Sequence, residues 1–263
     1  CADERGLADM ESTSGKTNRC DKKNASRAKI LGVALAAVFL AGSALAAAPE
    51  PVSGHDASST NYESWHVGFF DANYVFKRTQ YEDARVAGVV SYDNVGYAGL
   101  EGCQDTGKPY LFIAGFEEDT YEMLPVQLLE GRLPKDGSEV LIPSHLIADT
   151  QREYLAGDTL CLAVGPRQDG DDVLSQHVPY RLGAELLSVG EEQSYTVVGI
   201  YAKPAFETED APGYTLITAA DPTVPVESIS VFVSLQEVEE VYNYADSTAP
   251  GTAYAVNSKL LQE

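Results

Sequence analysis

A run of nineteen uncharged and mostly apolar residues, 30–48, constrains this chain more than any other feature. At about 1.5 Å per helical residue the run reaches about 28 Å, close to the hydrocarbon thickness of a bilayer. Six basic residues and one acidic residue lie between Lys16 and Lys29, directly before it. An excess of positive charge is typical of the cytoplasmic end of a membrane segment. We therefore expect residues 1–29 to be cytoplasmic, 30–48 to be a transmembrane helix, and the rest to lie outside.

The same run also fits the apolar core of a secretory signal peptide. Ala44, Leu45 and Ala46 form the small-x-small pattern of a signal-peptidase site, and cleavage near Ala46 would release a secreted protein. The basic lead-in is long for a signal peptide, which favours an uncleaved anchor. Because the chain begins with Cys1 and not with Met, we expect the true N-terminus to lie further upstream.

The segment from Pro49 onward is strongly acidic. It holds 11 basic and 35 acidic side chains, a formal charge of −24. Such a surface repels phosphate backbones, so nucleic acid is excluded as a partner. It disfavours docking on anionic headgroups and attracts cationic ligands such as a basic peptide, although the solubility of an exposed domain also accounts for the charge.

The outer segment reads as a linker, 49–64, followed by an α+β domain at 65–256. Strands outnumber helices without alternating regularly, which predicts a mixed, largely antiparallel sheet and not a doubly wound one. Apolar and β-branched runs predict strands at 65–70, 86–92, 110–116, 139–142, 159–164, 194–201, 214–218 and 229–235. Helical spacing or capping predicts helices at 73–86, 119–124, 144–154 and 237–246.

Residues 165–193 interrupt two good strands with polar, turn-rich sequence. A hairpin with a long connection fits this pattern. Such an excursion from a rigid sheet is a usual place for a ligand contact, and a tolerated surface insertion explains it equally well. Two cysteines, Cys103 and Cys161, lie in the outer segment. We expect free thiols there, with their pairing left open.

The sequence offers no catalytic, cofactor-binding or metal-binding constellation, so we predict that the chain is not an enzyme. It has no nucleophile elbow and no Walker A motif, and its histidines lack metal-ligand spacing. These histidines are His55, His66, His145 and His177, of which His145 is expected to open a helix and His66 to be structural. The acidic clusters at 117–119, 169–172 and 207–210 are interpreted as solvated surface. An exported hydrolase is the least favoured alternative.

An ordered set of motifs begins with LLEGRLPKDGSEVLIP at 128–143. Here Gly131 permits a sharp backbone change, Arg132 can pair with a nearby carboxylate or cap carbonyl groups, and Glu139 opens the next strand. The segments GDTL and YTVVGIY follow at 157–160 and 195–201. In this order and behind a basic-flanked apolar run, the set resembles the first membrane helix and extracytoplasmic domain of FtsX-like, MacB-type ABC transporter permeases.

This resemblance implies a MacB-like periplasmic core domain in the bacterial cell membrane, with no catalytic residue of its own. Its partners would be an ABC ATPase subunit, the rest of the permease or a second permease copy, and the lipid bilayer. Family substrates include peptides, lipoproteins, macrolides and cell-wall regulators, and the motifs do not choose among them. A cationic peptide is one candidate, suggested by charge.

The family also implies that residues 257–263, with Asn257, Leu260 and Leu261, lead into a second membrane helix. A permease needs about four spanning helices and this sequence has one apolar run, so we expect a fragment of a longer protein. A secreted, stand-alone binding module is the alternative.

Overall fold

The computed structural model describes residues 63–224, 226, 228–248, 254–258 and 260. The basic segment 1–29, the apolar run 30–48, His55 and all but two residues of the 49–64 linker lie outside the described residues, as does Leu261. Within the described ranges, no helix has both the length and the apolar character needed to cross a bilayer.

Strands dominate the described part of the chain, and they are joined by four short helices. The strands are β1 Val67–Ala72, β2 Val86–Gly99, β3 Tyr110–Phe116, β4 Leu128–Gly131, β5 Glu139–Pro143, β6 Thr159–Ala163, β7 Arg167–Asp169, β8 Asp172–Leu174, β9 Leu186–Leu187, β10 Glu192–Tyr201, β11 Gly213–Ala219, β12 Ile229–Leu235 and β13 Tyr254–Val256. The helices are α1 Tyr74–Gln80, α2 Thr120–Met123, α3 Ser144–Thr150 and α4 Val241–Thr248, the last preceded by a 3-10 turn at Val238–Glu240.

Ten of these strands form one sheet in the order β13-β1-β12-β2-β3-β11-β5-β10-β4, with β6 also paired to β10. Strands β3 and β11 are parallel, as are β5 and β10, and the other described pairs are antiparallel. The prediction of a mixed, largely antiparallel α+β fold is confirmed for this part of the chain.

Both faces of the sheet are buried. In β12, Val231 and Val233 pack into a cluster that includes Tyr244 of α4, whereas Phe232 between them packs on the opposite face with Phe112. Successive strand side chains point to opposite faces, so a strand covered on both sides needs an unbroken apolar run. Strand β3, YLFIAGF, is such a run, and all seven of its residues are buried.

Two helices and one strand end at residues other than those predicted from the sequence. The predicted helix 73–86 stops at Gln80, because Asp83 binds the backbone and side chain of Arg85 and turns the chain into β2. The predicted helix 144–154 stops at Thr150, where Gln151 takes a left-handed conformation with φ 54°. Strand β2 runs seven residues beyond the predicted 86–92 and passes through a bulge beside Val95.

Candidate functional site

The motif segments meet on strand β10. Gly199 of β10 is directly opposite Gly131 of β4, and each backbone crowds the other. A Cβ added to Gly131 would lie 2.2 Å from the Val198 carbonyl oxygen, and φ at Gly131 is 82°. A side chain at this position is therefore excluded both by contact and by backbone conformation.

Arg132 holds the turn that follows β4. Its guanidinium donates to both carboxylate oxygens of Glu139, at 2.5 and 2.6 Å, and to the carbonyl of Leu133 at 3.0 Å. Glu139 also accepts from the Lys135 amide at 2.9 Å, and it begins β5 as expected. The hydrogen bonds from Arg132 lower the pKa of Glu139 to about 2. The predicted pairing of Arg132 with a carboxylate is confirmed.

The GDTL segment completes this corner of the sheet. The amide of Gly157 donates to the carbonyl of Val197, and the amide of Val197 donates to the carbonyl of Asp158, both at 2.8 Å. Thr159 then pairs with Thr196 across β6 and β10. The motifs are thus one connected structural unit built of backbone contacts and one ion pair.

A buried ion cluster lies around Glu207, so the interpretation of 207–210 as solvated surface is wrong for Glu207, whereas Glu209 and Asp210 are exposed as expected. The Glu207 side chain is 0% exposed; one carboxylate oxygen contacts Lys108 Nζ at 3.0 Å and His145 Nε2 at 2.7 Å. The other accepts from the Thr215 amide at 2.8 Å. Burial would raise the pKa of Glu207, but the hydrogen bond from His145 and the nearby positive charges bring it below its ordinary value.

Sequence analysis missed this cluster because its members come from four separate segments. His145 lies in the first turn of α3, as expected, and no signal indicated that α3 would deliver it to a loop carboxylate sixty-two residues later. Neither of the two described cavities is lined by Lys108, His145 or Glu207. The arrangement ties the 202–212 loop to α3 and β11.

The 165–193 insertion is anchored by a buried arginine. Strands β6 and β10 pair antiparallel, so the predicted hairpin is confirmed, and its connection forms a small sheet of its own in the order β8-β7-β9. Arg167 and Glu185 are joined by two hydrogen bonds of 2.8 Å, with side chains 0% and 1% exposed. The same guanidinium lies 5.2 Å from the ring centre of Tyr97 on β2. The insertion is therefore docked onto the main sheet.

A cavity of about 190 Å³ lies where the insertion meets the sheet. Its lining combines β2 residues with the segment after β8 and with the chain before β12: Asp71, Asn94, Gly96, Tyr97, Phe112, Pro166, Leu174, Ser175, Gln176, Ser228 and Ser230 with four valines. A second hollow of about 340 Å³ shares Val95, Val224 and Val226 with it. A ligand contact at the insertion was one of the two interpretations of this segment, and this cavity is the candidate site.

The histidines are explained by packing within the described residues. His66 lies just before β1, where its Nδ1 accepts from the Leu235 amide at 2.8 Å. His177 lies against Phe70, and burial lowers its pKa to about 4. Among the described residues, no three His, Cys, Asp or Glu side chains are grouped so that they could hold a metal ion.

Cys103 is a free thiol, so it is not paired with Cys161. Its Sγ lies 3.2 Å from the hydroxyl of Tyr214, which donates to Asp149 at 2.9 Å. This agrees with the expectation for Cys103. Cys161 lies in β6, in the strand predicted at 159–164, and the expectation of a free thiol is wrong for this residue, which is disulfide-bonded.

Comparison with known proteins gives a structural likeness only. No protein-family model matches the chain. No curated protein matches it in sequence. Among solved structures, the periplasmic region of MacB from Actinobacillus actinomycetemcomitans is 10% identical with a TM-score of 0.40, over 76% of this chain and 92% of that one. The extracellular domain of the ABC-type transporter YknZ from Gram-positive bacteria is 11% identical with a TM-score of 0.37, over 73% and 98%.

At TM-scores of 0.40 and 0.37 the folds overlap only in part.

Proposed function

We propose that this chain is the extracytoplasmic domain of an ABC transporter permease subunit, together with the membrane helix that precedes it. In this proposal a separate ATPase subunit hydrolyses ATP on the cytoplasmic face. The domain described above responds outside the bacterial cell membrane, where it takes part in the export or handling of a substrate. The rest of the permease, or a second permease copy, completes the transporter.

The observation that carries the proposal is that the two described ends of the domain are tied together. Strand β1 pairs with β13, so that Val67 is opposite Val256. Beyond this pair, the Asn257 amide donates to the His66 carbonyl and the Asn257 side chain donates to the Trp65 carbonyl, both at 3.0 Å. A domain inserted between two membrane segments must begin and end at one place. Close ends are common in domains, so this pairing supports the proposal together with the motifs and the apolar run.

The continuous sheet supports a mechanical role. A displacement at the β1–β13 edge would pass through hydrogen-bonded strands to the corner formed by β4, β5 and β10. Closely packed elements transmit such shifts because they deform little. Coupling of this kind needs two arrangements of the subunits and no catalytic side chain in the outer domain.

A test of membrane anchoring separates this proposal from a secreted module. The full chain carries one tag at each end and is expressed in a bacterium beside the variant Ala46→Phe, in which the small residue of the Ala44-Leu45-Ala46 pattern is lost. We expect both proteins to keep their full mass and to stay in the membrane after an alkaline wash. Protease added from outside should remove the C-terminal tag and leave the N-terminal tag intact.

The opposite result identifies the alternative. If the unmodified chain is cleaved near Ala46 and released while Ala46→Phe is retained, the chain is a secreted binding module and the permease proposal is wrong. A second measurement addresses the partner: where an ABC ATPase subunit is encoded beside this chain, its rate of ATP hydrolysis should change when the two are reconstituted in one bilayer. An unchanged rate of ATP hydrolysis would show that this chain is not coupled to the ATPase.

A further inference from the structure

The small sheet of the insertion has two faces with different surroundings. On one row across its three strands, Arg167 of β7 lies opposite Leu174 of β8 and Leu187 of β9. Arg167 is fully buried, the two leucines are half-buried, and Leu187 packs against the core of the main sheet. This row therefore belongs to the docked face. Because successive strand residues point to opposite faces, the next row belongs to the face that looks away from the main sheet.

The outward row is apolar and exposed. Gln168 of β7 lies opposite Val173 of β8 and Leu186 of β9, and these two apolar side chains are 53% and 67% exposed. Leu182, in the turn that leads into β9, is 88% exposed, the largest fraction of any large apolar side chain in the described residues. We call Val173, Leu182 and Leu186 the outer surface of the insertion. Single exposed apolar residues are ordinary, but a group of them on one small element is typical of an interaction surface.

A buried anchor holds the outer surface in place. Strands of two or three residues are not stable by themselves, so the small sheet depends on its contacts with the main sheet. Glu185, whose carboxylate binds Arg167 beneath the small sheet, directly precedes Leu186 in the chain. On the outward row, Gln168 accepts from the Ser188 hydroxyl at 2.7 Å. The ion pair thus fixes the strand that carries Leu186, while the Leu186 side chain stays in water.

Uncompensated negative charge lies at one end of the outer surface. Asp169 and Asp172 lie opposite each other at the end of the β7–β8 hairpin, and Asp171 lies in the turn between them. All three are exposed, and none forms an ion pair with a residue that the structure describes. The pair of Gln168 and Val173 is the next one along the hairpin. Residues 165–193 as a whole hold six acidic and two basic side chains.

This charge selects among the possible occupants of the outer surface. A second copy of the chain would bring the same acidic hairpin, and like charges across an interface repel each other. The anionic headgroups of a membrane are repelled in the same way. A partner that carries lysine or arginine beside apolar side chains complements both the hairpin and the outer surface.

We propose that the outer surface of the insertion is a docking site for another protein, which presents an amphipathic segment with apolar side chains on one side and basic side chains on the other. The apolar side chains cover Val173, Leu182 and Leu186, and the basic ones lie at the hairpin of Asp169 and Asp172. Exclusion of water from the apolar contact supplies the affinity, and the opposite charges speed association and fix the orientation. The surface is present whether the chain belongs to a transporter or is secreted.

The test uses the full chain in a neutral detergent at low ionic strength, followed by calorimetry with protein-free micelles as the blank. The probe is a nine-residue peptide with blocked ends in which lysine alternates with leucine. Two matched peptides replace every lysine by glutamate or every leucine by serine. We expect the lysine–leucine peptide to bind, and each matched peptide to bind at least about tenfold more weakly. Equal binding of either matched peptide, or no binding of the lysine–leucine peptide at millimolar concentration, would overturn the proposal.

Paired variants locate the apolar contact. The double variant Val173→Thr, Leu186→Thr keeps the small sheet, because both sites are exposed and threonine favours strands. It should weaken binding of the lysine–leucine peptide by roughly tenfold or more. The control Leu129→Thr makes the same kind of change at a leucine that is 56% exposed on β4, outside the insertion, and it should leave the affinity unchanged. No loss in the double variant, or an equal loss in the control, would contradict the proposal.

The contribution of the charge is tested separately. Asp171→Asn together with Asp172→Asn should weaken binding of the lysine–leucine peptide by roughly threefold or more at low ionic strength, and by less in high salt. The matched pair Glu209→Gln with Asp210→Asn removes two exposed charges outside the insertion and should have a smaller effect. Equal effects of the two pairs would show that the peptide follows the overall charge of the domain, and the docking site at the hairpin would then be wrong.

Two further measurements identify the other occupants. In sedimentation, the unmodified chain and the Val173→Thr, Leu186→Thr variant should have the same mass, whereas a dimer that the variant dissociates would show that a second copy covers the outer surface. In vesicles of phosphatidylcholine and phosphatidylglycerol, the tryptophan introduced by Leu182→Trp should have the emission of an exposed side chain. A shift of that emission to shorter wavelength would show that the bilayer covers the surface. Either of these contrary results would overturn the proposal.

Discussion

Replacing Arg167 by methionine should uncouple the 165–193 insertion from the main sheet. The guanidinium makes two hydrogen bonds of 2.8 Å to Glu185, one of 2.9 Å to the Ser175 carbonyl and one of 3.1 Å to the Val178 carbonyl. The Arg167 and Glu185 side chains are 0% and 1% exposed, so water does not take over these contacts while the insertion stays docked. The variant leaves a buried carboxylate without its cation.

The substitution should lower the free energy of unfolding by about 3–5 kcal/mol at neutral pH, the usual loss when one member of a buried ion pair is removed. The cost should depend on pH. In the native protein burial alone would raise the pKa of Glu185, but hydrogen bonds from Arg167 hold it below 4.5. The stability that the paired Glu185 carboxylate contributes is therefore fully present above pH 4.5 and is lost as the pH falls below that value. Without Arg167, burial raises the pKa of Glu185. Protonation of Glu185 at low pH then removes the unpaired buried charge and restores part of the variant's stability. The difference in free energy of unfolding between the native protein and Arg167→Met should therefore decrease as the pH is lowered.

The measurement is urea unfolding of the full chain in neutral detergent, followed by the fluorescence of Trp65, the only tryptophan. The double variant Arg167→Met, Glu185→Leu removes both charges and should regain most of the loss. Limited proteolysis distinguishes global unfolding from local undocking, which would expose the insertion first. A loss under about 1 kcal/mol in Arg167→Met, independent of pH and equal in the double variant, would show that the pair behaves like a surface pair and would refute the reasoning.

Three further variants test other parts of the fold. Gly131→Ala should lower stability by about 1–3 kcal/mol more than Gly102→Ala, because both glycines have a left-handed φ but only Gly131 faces a close backbone oxygen; equal losses would contradict this. Glu139→Gln should cost under about 1 kcal/mol, since Arg132 is exposed, and the native contribution should vanish as pH falls from 4.5 towards 2 in acid titrations. The native protein should lose stability between pH 6.5 and 4, because His177 binds a proton there in the unfolded chain but not in its buried position. In His177→Phe this loss, roughly 1–3 kcal/mol in the free energy of unfolding, should be absent. An unchanged pH profile of stability would refute the reasoning.

The central strands could be predicted because they are buried on both faces. Strand β3 appears in the sequence as an unbroken apolar run, and β11 and β12 as mostly apolar runs that contain Thr or Ser. The structure places each of the three within one residue of its predicted bounds. The short strands β4, β7, β8, β9 and β13 were missed. They are two to four residues long and mostly polar or exposed, so no periodicity marks them.

The candidate cavity, too, could be predicted from the sequence only in part. The sequence indicated the insertion at 165–193 as one possible ligand contact, from its polar interruption of two strands. It could not indicate that Asp71, at the end of β1, would lie at one wall with Gln176, because that neighbourhood arises only when the insertion docks on the sheet. Likewise, Glu207 looked like surface because its burial depends on Lys108 and His145, which are remote in sequence.

The order of residues along this chain determined its local elements: the apolar run at 30–48, the buried strands, and the glycines and charges of the turns near β4. Those features follow from hydropathy and backbone preference, which act between neighbours in the chain. The tertiary structure decided which polar side chains are buried, how Arg167 joins Glu185, and which residues line the cavity beneath the insertion. Such pairings bring together distant segments, and their energy depends on the exclusion of water, which no single segment achieves alone.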